Sequence, residues 1–148
     1  NVDAIISKGV EFSAGHDFGI LRADAAYVFT DAHVKASGIA SNLDGKSPAQ
    51  IARHSGSFSL RSQKEASLGG YLTLRYMGKQ QEDDIGDLQL DDALTLDAGV
   101  HMRLGGGMTL ELRGENIFDA LVPAAISSGG VIERATPRTI WLGVRFSG

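Results

Sequence analysis

A period of two, returning seven times, is the feature that most constrains this chain. Apolar residues take every second position near 5–14, 18–30, 54–62, 70–78, 93–104 and 138–146, and again from Thr109 until a polar cluster begins at Glu115. In the fifth stretch Leu94, Leu96, Ala98, Val100, Met102 and Leu104 oppose Thr95, Asp97, Gly99, His101 and Arg103. In the seventh, Ile140, Leu142, Val144 and Phe146 oppose Thr139, Trp141, Gly143 and Arg145. Successive side chains of a strand point to opposite faces, so this spacing gives each strand one oily and one wet face, where a helix would need a period near 3.6. Nineteen glycines against three prolines also argue against helices, because each Gly inside a helix costs about 1 kcal/mol. The expected fold class is all-β and antiparallel.

The connections add a second constraint, because their lengths alternate. Short ones, "GHDF" at 15–18, "SQKEA" at 62–66 and "GGG" at 105–107, take turns with long ones near 31–50, 78–90 and 119–137. A soluble sheet with one solvated face shows the same residue alternation but has no reason to alternate its loops. A transmembrane barrel does, with short periplasmic turns, long outer loops and strands of about 10 residues. On that reading Leu94, Leu96, Val100, Ile140, Leu142 and Val144 face lipid, while Arg22, Asp24, Arg75, Asp97, Arg103, Glu111, Arg113 and Arg145 line the lumen. The last strand then runs inward and places the C-terminus in the periplasm. No apolar run reaches the length of a transmembrane helix, about 18 residues, and the N-terminus lacks the basic-then-apolar form of a signal peptide.

Other chemistries are poorly served by these residues. A net charge of -4 with no basic stripe argues against nucleic acid. The absence of cysteine excludes disulfides, thiolate metal sites and a Cys nucleophile. His16, His33, His54 and His101 fall in different segments without ligand spacing, and His101 is expected to hydrogen-bond within the lumen. The acidic stretch "QEDDIGDLQLDD" lacks the ligand spacing of a calcium loop and reads as a solvated outer loop. Gly105–Gly107 reads as a tight turn needing positive φ, with no strand-to-helix context for a phosphate cradle. No triad or carboxylate pair is legible, so neither catalysis nor a cofactor or metal is expected.

The sixth strand stops abruptly at Glu115-Asn116-Ile117-Phe118-Asp119, a cluster too polar for a buried strand and too short for a helix. "RGENIFDA" at 113–120, followed by "TPRTIWLGVRF" at 136–146, resembles the C-terminal end of TonB-dependent outer-membrane receptors, in which the penultimate strand closes on a Glu/Lys-Asn-Leu-Phe-Asp element and a Pro-Arg precedes the final strand. "NVDAIISKGVEFSAG" and "YLTLRYMGKQ" are similar to other strands of that family. Two departures stand out: Ile117 replaces the usual Leu, and Phe146 is followed by Ser147 and Gly148 where the family commonly ends in an aromatic residue.

The resemblance implies a Gram-negative outer-membrane active-uptake receptor, with a 22-stranded barrel around an N-terminal plug and energy supplied by TonB through a periplasmic box. Residues 1–148 would be the C-terminal part of that barrel, without plug or box, and hence a fragment or one polypeptide of a split barrel. The partners implied are the remaining barrel and plug, the TonB-type protein, outer-membrane lipid and lipopolysaccharide, and a small-molecule ligand such as a ferric siderophore, cobalamin or an oligosaccharide. No ligand-binding residue is assigned. For the ENIFDA element the expected task is structural: Asn116 and Asp119 bond nearby backbone and end the strand, while Phe118 anchors at the lipid interface. The rival is that Glu115 and Asn116 contact ligand. Alternatives of other classes are a soluble β-sandwich or lectin-like module, and a passive porin or autotransporter β-domain.

Overall fold

The computed structural model describes residues 2–62, 67–127 and 129–147. In chain order the strands are β1 (Ala4–Asp17), β2 (Leu21–Lys35), β3 (His54–Ser62), β4 (Leu68–Met77), β5 (Gln80–Gln81), β6 (Gln89–Leu90), β7 (Ala93–Gly105), β8 (Met108–Glu115), β9 (Pro123–Ile126), β10 (Ile132–Arg134) and β11 (Thr139–Phe146), with a 3-10 helix at Gly38–Leu43. Seven of them form one antiparallel sheet in the order β1-β2-β3-β4-β7-β8-β11, so each long strand pairs with its predecessor and successor among the long strands. The seven alternating stretches are these seven strands. The four short ones form two hairpins, β5/β6 and β9/β10, inside the long loops.

Register keeps the two faces apart across the sheet as far as Phe29 of β2. The apolar face runs through rows such as Phe12–Tyr27–Gly56–Tyr76–Leu94 and Leu72–Ala98–Gly114–Ile140. A one-residue slip at any pairing would put a charged set among these side chains. Neither face is covered. The accessible surface is 9983 Å², against about 7,200 Å² for a compact globule of this mass. Among the described residues the buried apolar side chains are Val34, Ala36, Pro48, Leu90 and Ala93, all at the long-loop end. A β-sandwich would bury one face of each strand against a second sheet, so this is a wall and not a sandwich.

The boundaries differ from the sequence reading at one hairpin. The first turn lies at Phe18–Ile20, where Gly19 has φ 77 and Phe18 N–H donates to Leu21 O at 2.7 Å, not at 15–18, so β1 runs on to Asp17. The second strand also continues past Thr30 to Lys35. The "SQKEA" connection falls largely on residues 63–66, outside the described residues.

The glycine turn is as expected: Gly105, Gly106 and Gly107 have φ 86, 57 and 74. Gly107 is the demanding one. A Cβ there would overlap the carbonyl oxygen of Ser147, whose N–H and Oγ–H bond Gly107 O at 2.9 and 3.2 Å, whereas a Cβ on Gly106 meets nothing. Gly106→Ala should therefore cost only the left-handed strain of about 1–2 kcal/mol. Gly107→Ala should cost visibly more, read as a lower urea midpoint of the refolded full-length protein.

The long loops fold back and tie to one another. Loop 36–53 extends the ladder of β2, with Val34 N–H donating to Lys46 O at 2.8 Å and Gly45 N–H to Val34 O at 2.9 Å. It also reaches loop 78–92: Gln50 N–H donates to Gln81 O at 2.7 Å, and Lys46 Nζ donates to Ile85 O.

Candidate functional site

The polar face gathers all the charged residues that the alternation assigned to the lumen. Register runs it from Glu11, Ser13 and Asp17 through Arg22, Asp24, Ser57 and Ser59 to Arg75, Asp97, Glu111, Arg113 and Arg145. The charges pair along and across strands. Arg22 bridges Asp17 at 2.9 Å and Asp24 at 2.8 Å, Arg61 approaches Asp24 at 3.4 Å, Arg75 pairs with Asp97, and Arg145 holds Glu111 at 2.9 Å. Such pairs are worth at most about 1 kcal/mol each while they remain solvated. Their effect is to keep a strongly charged wall nearly neutral. Arg113, between Gly99 and Trp141 in register, has no carboxylate partner among the described residues.

Near the long loops the same face becomes small and apolar. A concavity of about 400 Å³ is lined by Ala26, Ser57, Arg75, Met77 and Ala93 of the wall and by Val122 of the loop that follows β8. A second one, of about 370 Å³ and polar, lies over Gly15, Arg22, Asp24 and Ser59. Tyr71 leans across the face onto its register partner Gly99, where a Cβ would come within 2.6 Å of the ring.

The ENIFDA element is dense in side-chain-to-backbone hydrogen bonds. Asn116, 5% exposed, is the only buried polar residue among those described. Its φ of 47 and that of Asp119, 55, are left-handed, a region that Asn and Asp enter more readily than other non-Gly residues. Its N–H donates to Asp97 Oδ1 at 2.9 Å, and its amide clamps Ala120: Nδ2 donates to Ala120 O at 2.8 Å while Oδ1 accepts Ala120 N–H at 2.9 Å. Nδ2 also reaches Thr136 O at 3.4 Å, and Asp119 Oδ1 accepts Arg138 N–H at 3.0 Å. Both ends of loop 116–138 are thus pinned to the end of β8. Ile117 N–H continues the ladder to Leu96 O at 2.8 Å, and the Ile117 side chain packs back against Gly114. Phe118 is 72% exposed. Glu115 faces Thr139.

The histidines scatter. His16 meets Phe18 edge-on at 4.6 Å, His33 lies on the part of β2 beyond β3, and His54 Nδ1 bonds Tyr27 Oη at 2.8 Å on the apolar face. His101 differs from expectation. It has no side-chain hydrogen bond among the described residues and instead packs over its register partner Gly69, 2.6 Å from where a Cβ would stand. No group of three or more His, Cys, Asp or Glu among the described residues is placed to hold a metal. The acidic stretch carries the β5/β6 hairpin, closed in part by Asp83 Oδ1, which accepts the N–H of Asp87 at 3.0 Å.

A family model described as TonB dependent receptor-like, beta-barrel, matches residues 1–117. The chain belongs to this TonB-dependent receptor β-barrel family. No curated protein sequence matches it. Among solved structures it is similar to the ferric yersiniabactin uptake receptor FyuA from Yersinia pestis, at 17% identity and a TM-score of 0.84, covering 96% of this chain and 23% of that one. The siderophore receptor PiuA from Acinetobacter baumannii gives 14% identity, a TM-score of 0.82, and coverage of 96% and 22%. The ferric-catecholate import receptor Fiu from E. coli K12 gives 21%, 0.76, and 93% and 20%. The chain therefore spans less than a quarter of the length of these proteins. At such identities the likeness is one of fold. The family match takes in β8 and ends inside the ENIFDA element, whereas the structural matches cover at least 93% of the chain, so the likeness of fold extends beyond the family match.

Proposed function

We propose that residues 1–148 form the C-terminal sector of the barrel of an outer-membrane active-transport receptor, which takes up a scarce solute with energy delivered by TonB. A ferric siderophore is the favoured cargo, ahead of cobalamin or an oligosaccharide. The observation that carries this is the geometry of the wall: one continuous oily face, one charge-paired face, and loops that are long at one end only. Both edges, β1 and β11, lack a strand partner among the described residues, and the rest of the barrel would supply them. An open edge of this length is otherwise a template for aggregation. The remaining protein would supply the plug, seated against the charged face, and the periplasmic contact with TonB. The ferric-chelate cargoes named for FyuA and Fiu favour iron over the other solutes.

Orientation and transport are tested together in cells making the full-length receptor. With no native cysteine in this segment, Asp84→Cys in the second long loop should react with a membrane-impermeant maleimide on intact cells, and Ile20→Cys in the short turn should not. Uptake of labelled ferric chelates should stop when TonB is removed. Labelling at Ile20→Cys alone would invert the wall, and uptake unaffected by loss of TonB would make the protein a passive pore.

A further inference from the structure

Glycines inside the long strands are covered by a neighbour, with one exception. A Cβ on Gly99 would come within 2.6 Å of the Tyr71 ring, and one on Gly69 within 2.6 Å of the His101 ring. Gly15 lies under the side chains of Arg22 and Asp24, Gly114 under Ile117 and Gly70 against Val100, while Gly9 and Gly56 face main-chain oxygens of β2. Apart from Gly105 at the turn, only Gly143 among the described strand glycines has nothing within 4 Å of its Cβ position. It stands in β11, which has β8 on one side and no strand on the other. Its register partner Glu111 is drawn to Arg145 at 2.9 Å and does not lean over it. Trp141 and Arg145 bound this bare stretch on the same charged face, each about 7 Å along the strand from Gly143. The Trp141 side chain is half-exposed.

We infer that Gly143 is a socket for one aromatic side chain, carried by the strand that closes the barrel against β11 and setting the register of that seam. The inference rests on the proposed barrel, in which β11 is the last strand and its open edge meets the first. The wall already uses the device twice on this face: Tyr71 of β4 lies over its register partner Gly99 of β7, and His101 of β7 lies over its register partner Gly69 of β4. An aromatic ring laid over a strand glycine pins the pairing of the two strands. The closing seam needs such a pin more than any other pair. Neighbours within the sheet follow one another in the chain and are joined by a connection, whereas the seam joins strands from opposite ends of the barrel with no turn to fix them, and a slip of one residue there would turn the charged face toward lipid. The flanking residues favour a ring over an aliphatic chain, since Trp141 offers an aromatic partner and Arg145 a cation.

The test uses the full-length receptor in outer membranes. Gly143→Cys is combined with single cysteines placed in turn along the charged face of the first barrel strand and on the plug, and disulfides are scored after oxidation. One position of the first strand should dominate, because directly opposed residues lie about 4.5–5.5 Å apart, within disulfide reach, and diagonal ones do not. The native residue at that position should be Tyr, Phe, His or Trp. Threonine is a better strand former than glycine, so Gly143→Thr would raise stability if the position were bare. In a filled socket it is overpacked, and the ratio of folded to unfolded receptor in urea should fall about tenfold. Gly143→Phe should likewise lose folding, and glycine at the crosslinked position should restore it by exchanging ring and socket. A non-aromatic residue at the crosslinked position, a crosslink to the plug or to neither, Gly143→Thr as stable as the parent, or no rescue by the exchange overturns the socket. A parent receptor absent from the outer-membrane fraction would instead refute the barrel reading, a separate observation.

Discussion

Arginine at position 142 should remove about 2–4 kcal/mol of folded-state stability and most of the receptor assembled in the outer membrane. Leu142 lies mid-strand in β11, 74% exposed, in the apolar row that Val100 and Leu112 begin. A guanidinium there must cross several residues of hydrocarbon to reach either interface. Thr139→Arg makes the control. It lies on the charged face directly opposite Glu115, so the new cation meets a carboxylate and water, and stability should stay within about 0.5 kcal/mol. Urea unfolding of the full-length protein in vesicles measures the first quantity, and the heat-modifiable band in membranes the second. Equal tolerance at the two positions would refute the assignment of the apolar face to lipid.

Asn116→Ala should be nearly as costly, about 3 kcal/mol, from two separate sources. The Ala120 N–H and C=O lose their side-chain partners at a half-buried site, where each unsatisfied group costs about 1 kcal/mol, the low end of the range for buried groups, and alanine must hold a left-handed conformation that costs about 1–2 kcal/mol. Asn116→Gly removes the second cost and keeps the first, so its unfolding midpoint should fall between those of the parent and the alanine variant. If the element is structural, ligand affinity per folded molecule stays constant in both variants while the amount of assembled receptor falls. A tenfold loss of affinity with normal assembly, about 1.4 kcal/mol, would move Asn116 into the binding site instead.

The long strands were legible because each crosses a boundary between two solvents, and that boundary writes its period directly into the residues. The reading stopped at Thr30 in the second strand for the same reason. Beyond Phe29 the outward side chains become Asp31, His33 and Lys35 while Ala32 and Val34 turn inward, so the phase of the pattern reverses although the strand and its pairing with Ala4–Gly9 continue. Val34 is buried there at 3% exposure, under the folded-back loop and not against lipid. The hairpins β5/β6 and β9/β10 left no trace, since strands of two to four residues are too short to show any period. At the ENIFDA element the polar cluster revealed that the strand must end and that Asn116 and Asp119 would bond backbone. The identity of the bonded groups depends on which chain segments return to that spot: Asp97 lies 19 residues back and Thr136 20 residues on. Tyr71 over Gly99 and His101 over Gly69 were likewise invisible, because a glycine announces an absence without saying which neighbour occupies it.

The bonds between the first two long loops limit how such a surface can diversify. Within the wall every strand touches only its neighbours in the ladder, so a change of length in one loop leaves the strands in place. Loops 36–53 and 78–92, however, share the Gln50–Gln81 main-chain bond, the Ala49–Gln81 bridge and the reach of Lys46 to Ile85. An insertion in either one breaks the registration of both. Loop 116–138 is rooted on Asn116 and Asp119 and meets the second loop where β9 lies beside β6, with no hydrogen bond between the two among the described residues. New specificities would therefore arise, in nature or by grafting, through exchange of the first two loops as a linked pair and of the third alone, and chimaeras that split the pair should lose outer-surface order while their barrels still assemble.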